Sequence, residues 1–296
     1  MPESLGLRLC LVLLVWCGMA VQAATITDDR GVQVSLAQPP QRIVSLFPAL
    51  TEAVCRMGQC QRLVGVDRYS NHPASVRSLP QVGGGLDPSI EAIMALQPDL
   101  VLMSSSTRAA TRLQSLGIAV AAMQPRTHAD IRRMLENLGK ILQVPDLSAA
   151  QRVWREIDQG LSEAASSVPP ALRGMRVYVE VDPGPFAASQ ASFIGETMHR
   201  LGLVNVVPAS LGEYPRLNPE FVVRADPDLI MIGHSQAAAI ASRPAWSGMR
   251  AVRKQAICAL TAAQADLLMR AGPRLAEAAQ LMVQCLRDKQ TQGQLP

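Results

Sequence analysis

The chain has 296 residues, of which 48% are apolar and 3% aromatic, with a formal net charge of +4. This length exceeds that of a typical single domain and predicts two. The apolar fraction is that of a globular protein rather than a disordered one. The charge is scattered along the chain without a basic block, which speaks against a dedicated nucleic-acid surface.

Residues 1–23 read as a signal peptide. Arg8 precedes an apolar run from Leu9 to Val21, and Val21 and Ala23 satisfy the small-residue rule for cleavage after Ala23. Lipidation at Cys17 is the alternative, disfavoured by the bulky Trp16 before it. The run is too short and badly flanked for a membrane span, and no later stretch reaches about 18 apolar residues. A soluble, exported mature chain is expected. Four cysteines remain in it: Cys55, Cys60, Cys258 and Cys285. In an oxidising compartment an even count favours disulfides. We expect Cys55–Cys60 across a helix end and Cys258–Cys285 between a late strand and the last helix, with four free thiols as the alternative.

"ATITDDRGVQVSL" predicts a hairpin turning at Asp29, Arg30 and Gly31. Strands follow at 42–46, 63–67, 99–103 and 118–123. Between them lie helices in "ALTEAVCRMG", "IEAIMALQ" and "TRAATRLQSLG", with a long turn-rich loop before the second helix. "HADIRRMLENLGKILQV" is an amphipathic helix with Ile131, Met134, Leu135, Leu138 and Ile141 on one face. This alternation predicts an α/β lobe with a mainly parallel sheet. A long helical pattern occupies 146–167, with Asp146 as its N-cap. The strand–helix alternation then restarts: strands in "RVYVEV", "DLIMIG" and "ICAL", helices in "IGETMHRLG", "NPEFVVRA" and "GPRLAEAAQLMVQCL". The division read from this is an N-terminal lobe at 24–145, a linking helix at 146–170 and a C-terminal lobe at 171–296. Pockets favour such interfaces, so a cleft between the lobes is the default ligand site.

The halves resemble each other. Glu91, Pro98 and Asp99 align with Glu220, Pro227 and Asp228 at one offset; Glu52, Arg56 and Gly58 align with Glu196, Arg200 and Gly202 at another. Asp87-Pro88 and Asn218-Pro219 are each read as an Asx N-cap with proline at N1. Ile90, Ile93, Met94 and Gln97 form the predicted buried stripe of the first copy; Phe221, Val222 and Ala225 form that of the second. Glu91 and Glu220 therefore sit on the exposed first turns of equivalent helices. By pattern alone each is a surface glutamate favoured by the helix dipole.

The motifs "RIVSLFPALTEAVCRMG", "LVGVDRYSNHP", "IEAIMALQPDLVLM", "TRLQSLGIAV" and "RAGPRLAEAA", in this order over nearly the whole mature chain, resemble the periplasmic binding proteins of ABC importers. The resemblance is to the group that joins two lobes by a single helical backbone and carries cobalamin, iron–siderophores or haem. "VGVDRYSNHP" and "DPGPF" bring the chain closest to the cobalamin-binding members. The resemblance implies a periplasmic, monomeric carrier without catalytic residues or a resident cofactor or metal. It implies cobalamin as first ligand and a siderophore or haem as second. It also implies delivery to an ABC permease dimer in the inner membrane, with Glu91 and Glu220 docking into arginine pockets there. Tyr69, Phe186 and Tyr214 match ligand-pocket positions, and Trp246 and Phe47 are weaker candidates. A corrin ring gains from such aromatic faces. The chain departs from the cobalamin binders at "VGGGLD", where they carry a tryptophan. Arg68, Arg77 and Arg108 would suit an anionic siderophore or haem propionates instead. A lone helical backbone implies modest opening of the lobes.

Two rival readings compete with this one. "IGHSQA" resembles the G-x-S-x-G elbow of α/β hydrolases, with Ser235 as nucleophile, but no histidine follows His234 to close a triad in that fold's order. A zinc or manganese receptor would draw on His72, His128, His199 and His234, of which His72 is the best placed; none forms a compact ligand motif. No phosphate-cradling glycine loop occurs.

Overall fold

The computed structural model describes residues 23–144, 146 and 148–296. The expected signal peptide, apart from Ala23, and Cys17 lie outside them. Among the described residues no helix is long and apolar enough to cross a membrane.

The first strands, β1 (Ala24–Thr27) and β2 (Gln33–Leu36), pair antiparallel as the predicted hairpin. A parallel sheet follows, built from β3 (Ile43–Ser45), β4 (Leu63–Val66), β5 (Leu100–Met103) and β6 (Ala119–Ala122) in the order β4-β3-β5-β6. Its helices are α1 (Pro48–Arg56), α2 (Ile90–Ala95), α3 (Ala110–Ser115) and α4 (His128–Ile141). The long helix α5 (Ala149–Ser166) leads to the second lobe. There β7 (Arg176–Asp182), β9 (Val204–Asn205), β10 (Leu229–Gly233) and β11 (Ile257–Leu260) are parallel, and β8 (Phe186–Ala187) adds antiparallel to β7. The parallel strands run β9-β7-β10-β11, which repeats the order of the first sheet strand for strand. Helices α6 (Phe193–Arg200), α7 (Pro219–Ala225), α8 (His234–Ala237), α9 (Arg250–Arg253), α10 (Ala262–Met269) and α11 (Leu275–Thr291) complete the lobe.

The repeated residues have physical reasons. Asp99 accepts the amides of Gln41 and Arg42 at 2.7 and 3.0 Å, and Asp228 accepts that of Arg176 at 3.0 Å, so each fixes the entry to its sheet's first strand. Gly58 and Gly202 end α1 and α6 in the left-handed region at φ +76° and +75°, where a Cβ would be strained. Arg56 and Arg200 both reach α5, pairing with Glu156 at 2.5 Å and Asp158 at 2.7 Å. The linking helix is thus held by the same residue of each copy.

The five apolar residues expected on α4 are all buried. The caps need correction. Ser89, not Asp87, caps α2, because Asp87 turns to Arg68 at 2.6 Å. Asn218 caps α7 as expected. Ser148 occupies the N-cap of α5, while Asp146 accepts the Ser148 amide from outside it. Ser148, Arg152 and the loop amide hold the Asp146 carboxyl down to about 2. On α2 only Ile93 is fully buried; Met94 and Gln97 face solvent, and the half-buried Ile90 and Leu96 complete the stripe. Cys55–Cys60 and Cys258–Cys285 are disulfide-bonded, with Cα atoms 4.0 and 6.1 Å apart.

Candidate functional site

In an open parallel sheet the loops beyond the carboxyl ends of the strands form the binding crevice. Here both sheets turn that edge toward one cleft. On the N-terminal side the strand ends deliver Leu46 and Phe47 after β3, Asp67 and Tyr69 after β4, Ser104, Ser106 and Thr107 after β5 and Gln124 after β6. With Leu86 these bound a cavity of about 430 Å³. On the C-terminal side Glu180 of β7, His234 to Gln236 after β10, and Thr261 after β11 bound a cavity of about 530 Å³. Met269 of α10 lines both, so the two cavities are halves of one cleft.

Of the arginines, only Arg270 lines either cavity among the described residues, and Arg68 and Arg243 pair with the lining carboxylates of Asp87 and Glu180. Arg68 pairs with Asp87 and lies 5.9 Å from the Tyr69 ring centroid. Arg243 makes a two-armed contact with Glu180 at 2.6 and 2.7 Å, and the Glu180 side chain is wholly buried. Tyr178 donates its hydroxyl to Glu180, and burial beside that carboxylate pushes its own ionisation far up. Arg270 is divided among Glu52, Asn71, the Tyr69 carbonyl and Asp266. Asp67 is buried and its carboxyl is raised chiefly by that burial, although Ser70 and the Tyr69 amide bond to it.

The candidate aromatics separate into three groups. Phe47 and Tyr69 line the cleft, and Tyr69 is 60% exposed there. Phe186 is 37% exposed on β8, beside the carboxyl end of β7 but outside both cavity walls. Tyr214 lines neither cavity; it is half-buried against the core, and burial pushes its hydroxyl upward. Trp246 is a correction: it is 0% exposed, packs edge-to-face on Tyr178 at 6.0 Å, and is roofed by Arg243 at 4.6 Å. It packs against the arginine that pairs with Glu180, a residue of the cavity wall. Arg77 donates to the Asn71 carbonyl, and neither it nor the exposed Arg108 lines the cleft.

Ser235 and His234 stand at the strand-to-helix turn after β10, in the cleft wall. His72, His128 and His199 lie elsewhere, and among the described residues no three metal-ligating side chains gather. His128 Nε2 donates to the Phe193 carbonyl at 3.2 Å and lies 2.9 Å from the Thr197 hydroxyl oxygen on α6, and burial lowers its pKa.

Glu91 and Glu220 are both exposed on the first turns of α2 and α7. Among the described residues Glu91 receives only the Ser89 hydroxyl at 3.3 Å, and Glu220 lies 3.7 Å from the exposed Arg224. The contribution of α10 to the cleft was missed in the sequence. Its signal was the Thr261/Gln264 pair, which forms a capping box.

Two lobes of matching topology, with a shared cleft at their strand ends and few charges left unpaired in it, define a two-lobed ligand-binding protein. The chain belongs to the periplasmic binding protein family, whose sequence profile matches residues 43–263. It is 28% identical over 251 residues to a vitamin B12-binding protein of Pectobacterium carotovorum, covering 81% of this chain and 86% of that one. It is 25% identical over 300 residues to an uncharacterised ABC transporter substrate-binding lipoprotein of Bacillus subtilis, covering 92% of each. Among solved structures, the periplasmic vitamin B12-binding protein of Vibrio cholerae matches with a TM-score of 0.70 and 26% identity, over 85% of this chain and 98% of that one. A periplasmic haem-binding protein of Pseudomonas aeruginosa shares the fold, with a TM-score of 0.72 at 24% identity over 82% of this chain and 91% of that one.

Proposed function

We propose that this chain is the periplasmic substrate-binding protein of an ABC importer and that it carries a corrinoid of the cobalamin class. The observation that carries the ligand reading is the charge balance of the cleft. Arg270, which lines the cavity, and Arg68 and Arg243, which pair with the lining residues Asp87 and Glu180, are each committed to a carboxylate of the protein itself. A ligand with ionised carboxylates would enter without a free cation to meet it, at a substantial desolvation cost. A ring rimmed with neutral amides meets apolar surface from Phe47, Tyr69, Leu86 and Met269 and hydroxyls from Ser106 and Thr107. The absence of a tryptophan in "VGGGLD" is compatible with this, since Leu86 within that loop shares the cavity wall with Tyr69.

Isothermal titration of the purified mature chain with cyanocobalamin, haem, a ferric hydroxamate siderophore and zinc tests the reading. Cyanocobalamin is expected to bind most tightly, at micromolar concentration or below. Tighter binding of haem or the siderophore would transfer the assignment to that ligand, and binding of zinc alone would overturn it.

Delivery follows from the same pseudo-symmetry. Equivalent exposed carboxylates on equivalent helices of the two lobes suit a permease built from two copies of one surface, and charge-assisted bonds to arginine would orient the complex. Glu91 and Glu220 are the residues proposed for that contact. The division into lobes at 24–145 and 171–296, joined by 146–170, belongs to this reading, as do cleavage after Ala23 and a monomeric carrier.

A further inference from the structure

We propose that Gln124 and Ser106 form a reader for a primary carboxamide on the rim of the bound ligand; this rests on the corrinoid reading above. The argument is a count of hydrogens and lone pairs. Ser104 Oγ receives the Ser106 amide at 3.3 Å and lies 2.8 Å from Ser106 Oγ. It also donates its single hydrogen to Gln124 Oε1 at 3.0 Å. With that hydrogen committed, the hydrogen between the two serine hydroxyls belongs to Ser106, which donates to Ser104. Ser105 Oγ donates a second hydrogen bond to Gln124 Oε1 at 2.7 Å, so both lone pairs of that oxygen are filled.

The carboxamide of Gln124 is thereby fixed in one orientation, and its Nε2 donates to no acceptor among the described residues. The main chain is held as well, since the Gln124 amide donates to Asp29 at 2.6 Å. Gln124 and Ser106 both line the N-terminal half of the cleft. They therefore present a fixed N–H donor and a hydroxyl oxygen whose hydrogen is turned away. A primary carboxamide offers the complement: a carbonyl for Gln124 and an N–H for Ser106. A carboxylate offers no hydrogen, and its oxygens would face the Ser106 lone pairs. Sites built around hydrogen bonds discriminate strongly against a ligand that leaves one unmade.

The test is calorimetric titration of wild type, Gln124→Glu, Gln124→Leu and Ser106→Ala with cyanocobalamin and with its monocarboxylic acids, each having one rim amide hydrolysed. Thermal melting of each variant serves as the folding control. Wild type is expected to bind at least one of the acids about tenfold more weakly than cyanocobalamin. Gln124→Leu is expected to bind cyanocobalamin about tenfold more weakly, and Gln124→Glu more weakly still. Ser106→Ala is expected to close the gap between amide and acid, a change that a merely structural role would not produce. Tight binding by wild type with all variants unchanged, or an amide–acid gap that survives Ser106→Ala, overturns this proposal alone. No binding of cyanocobalamin by wild type overturns the ligand reading, and this proposal with it.

Discussion

Glu52 on α1 and Arg274 at the start of α11 meet through two hydrogen bonds of 2.9 Å, although 222 residues separate them in the chain. Arg270 joins the same carboxylate at 2.7 Å. The Glu52 side chain is 2% exposed and that of Arg270 8%. In the second lobe the aligned Glu196 makes the reciprocal crossing, accepting the His128 amide at the start of α4. The lobes are therefore tied by two further contacts, and the backbone helix is not their only connection.

Removing Glu52 would leave two guanidinium groups confined without their carboxylate. Breaking one side of a buried pair costs about 3–5 kcal/mol. Glu52→Ala is expected to lose stability in that range in urea denaturation, with Arg274→Ala, at the less buried end, losing less. Equal and small effects from both would mean that the cluster is solvated.

Trp246 is expected to behave as a core residue. Trp246→Ala should destabilise by about 3–5 kcal/mol, as large aromatic truncations do. Trp246→Phe keeps a ring under Arg243 and removes an indole N–H that is buried without a partner among the described residues. Its affinity for cyanocobalamin is expected to stay within about threefold of wild type, a difference well below 1.4 kcal/mol. A loss beyond tenfold, measured by calorimetry, would return this residue to the ligand site.

Charge reversal tests the permease contact. Glu91→Arg and Glu220→Arg alter exposed first-turn positions that carry no buried partner, so each should change stability by no more than about 0.5 kcal/mol. Cyanocobalamin affinity should remain that of wild type, while transport into reconstituted vesicles falls for each single variant and further for the pair. Undiminished transport by the double variant would sink the docking assignment.

The His128 imidazole supplies a pH dependence whose sign is determined by its environment. Burial is the largest influence and holds its pKa below the ordinary 6.5; Glu196 and Asp158 push it upward, and Arg200 adds to the lowering. The unfolded chain therefore binds a proton more readily than the folded one. Its contribution to stability is present above about pH 6.5 and is lost as the pH falls through the folded value. His72 is lowered as well, first by burial and then by Arg274, so it acts in the same direction. Denaturation midpoints measured between pH 7.5 and 5 are expected to fall, and less steeply in His128→Gln. Identical slopes in the two proteins would remove His128 as a cause.

Much of this molecule was legible because its signals are local. The alternation of strands and helices, the apolar face of α4 and the cap at Asn218 depend on residues within a turn or two. The aligned Glu52 and Glu196 were also visible, but not that one would be buried between two arginines and the other left half-exposed at a helix start. Those partners come from the opposite lobe. Asp87 was misread because Ser89 offers a second cap two residues later, and Arg68, from another loop, decides between them. Trp246 was misplaced because an aromatic in irregular chain gives no periodicity from which to judge its exposure. Helix α10 escaped notice because apolar residues surround it without a clear stripe. Gln124 and Ser106 were silent, since their significance lies in which hydrogens are already taken.

The crossed contacts of Glu52 and Glu196 also bear on the autonomy of the halves. The two sheets repeat one strand order, which is the mark of an internal duplication, yet neither copy is a self-sufficient module. Severed between α5 and β7, one fragment would carry an acidic group whose counterions reside in the other, and the other would carry the glutamate that closes the first fragment's α4. Each is shaped as the complement of its sibling, so the molecule is in effect a heterodimer whose subunits happen to share a peptide chain.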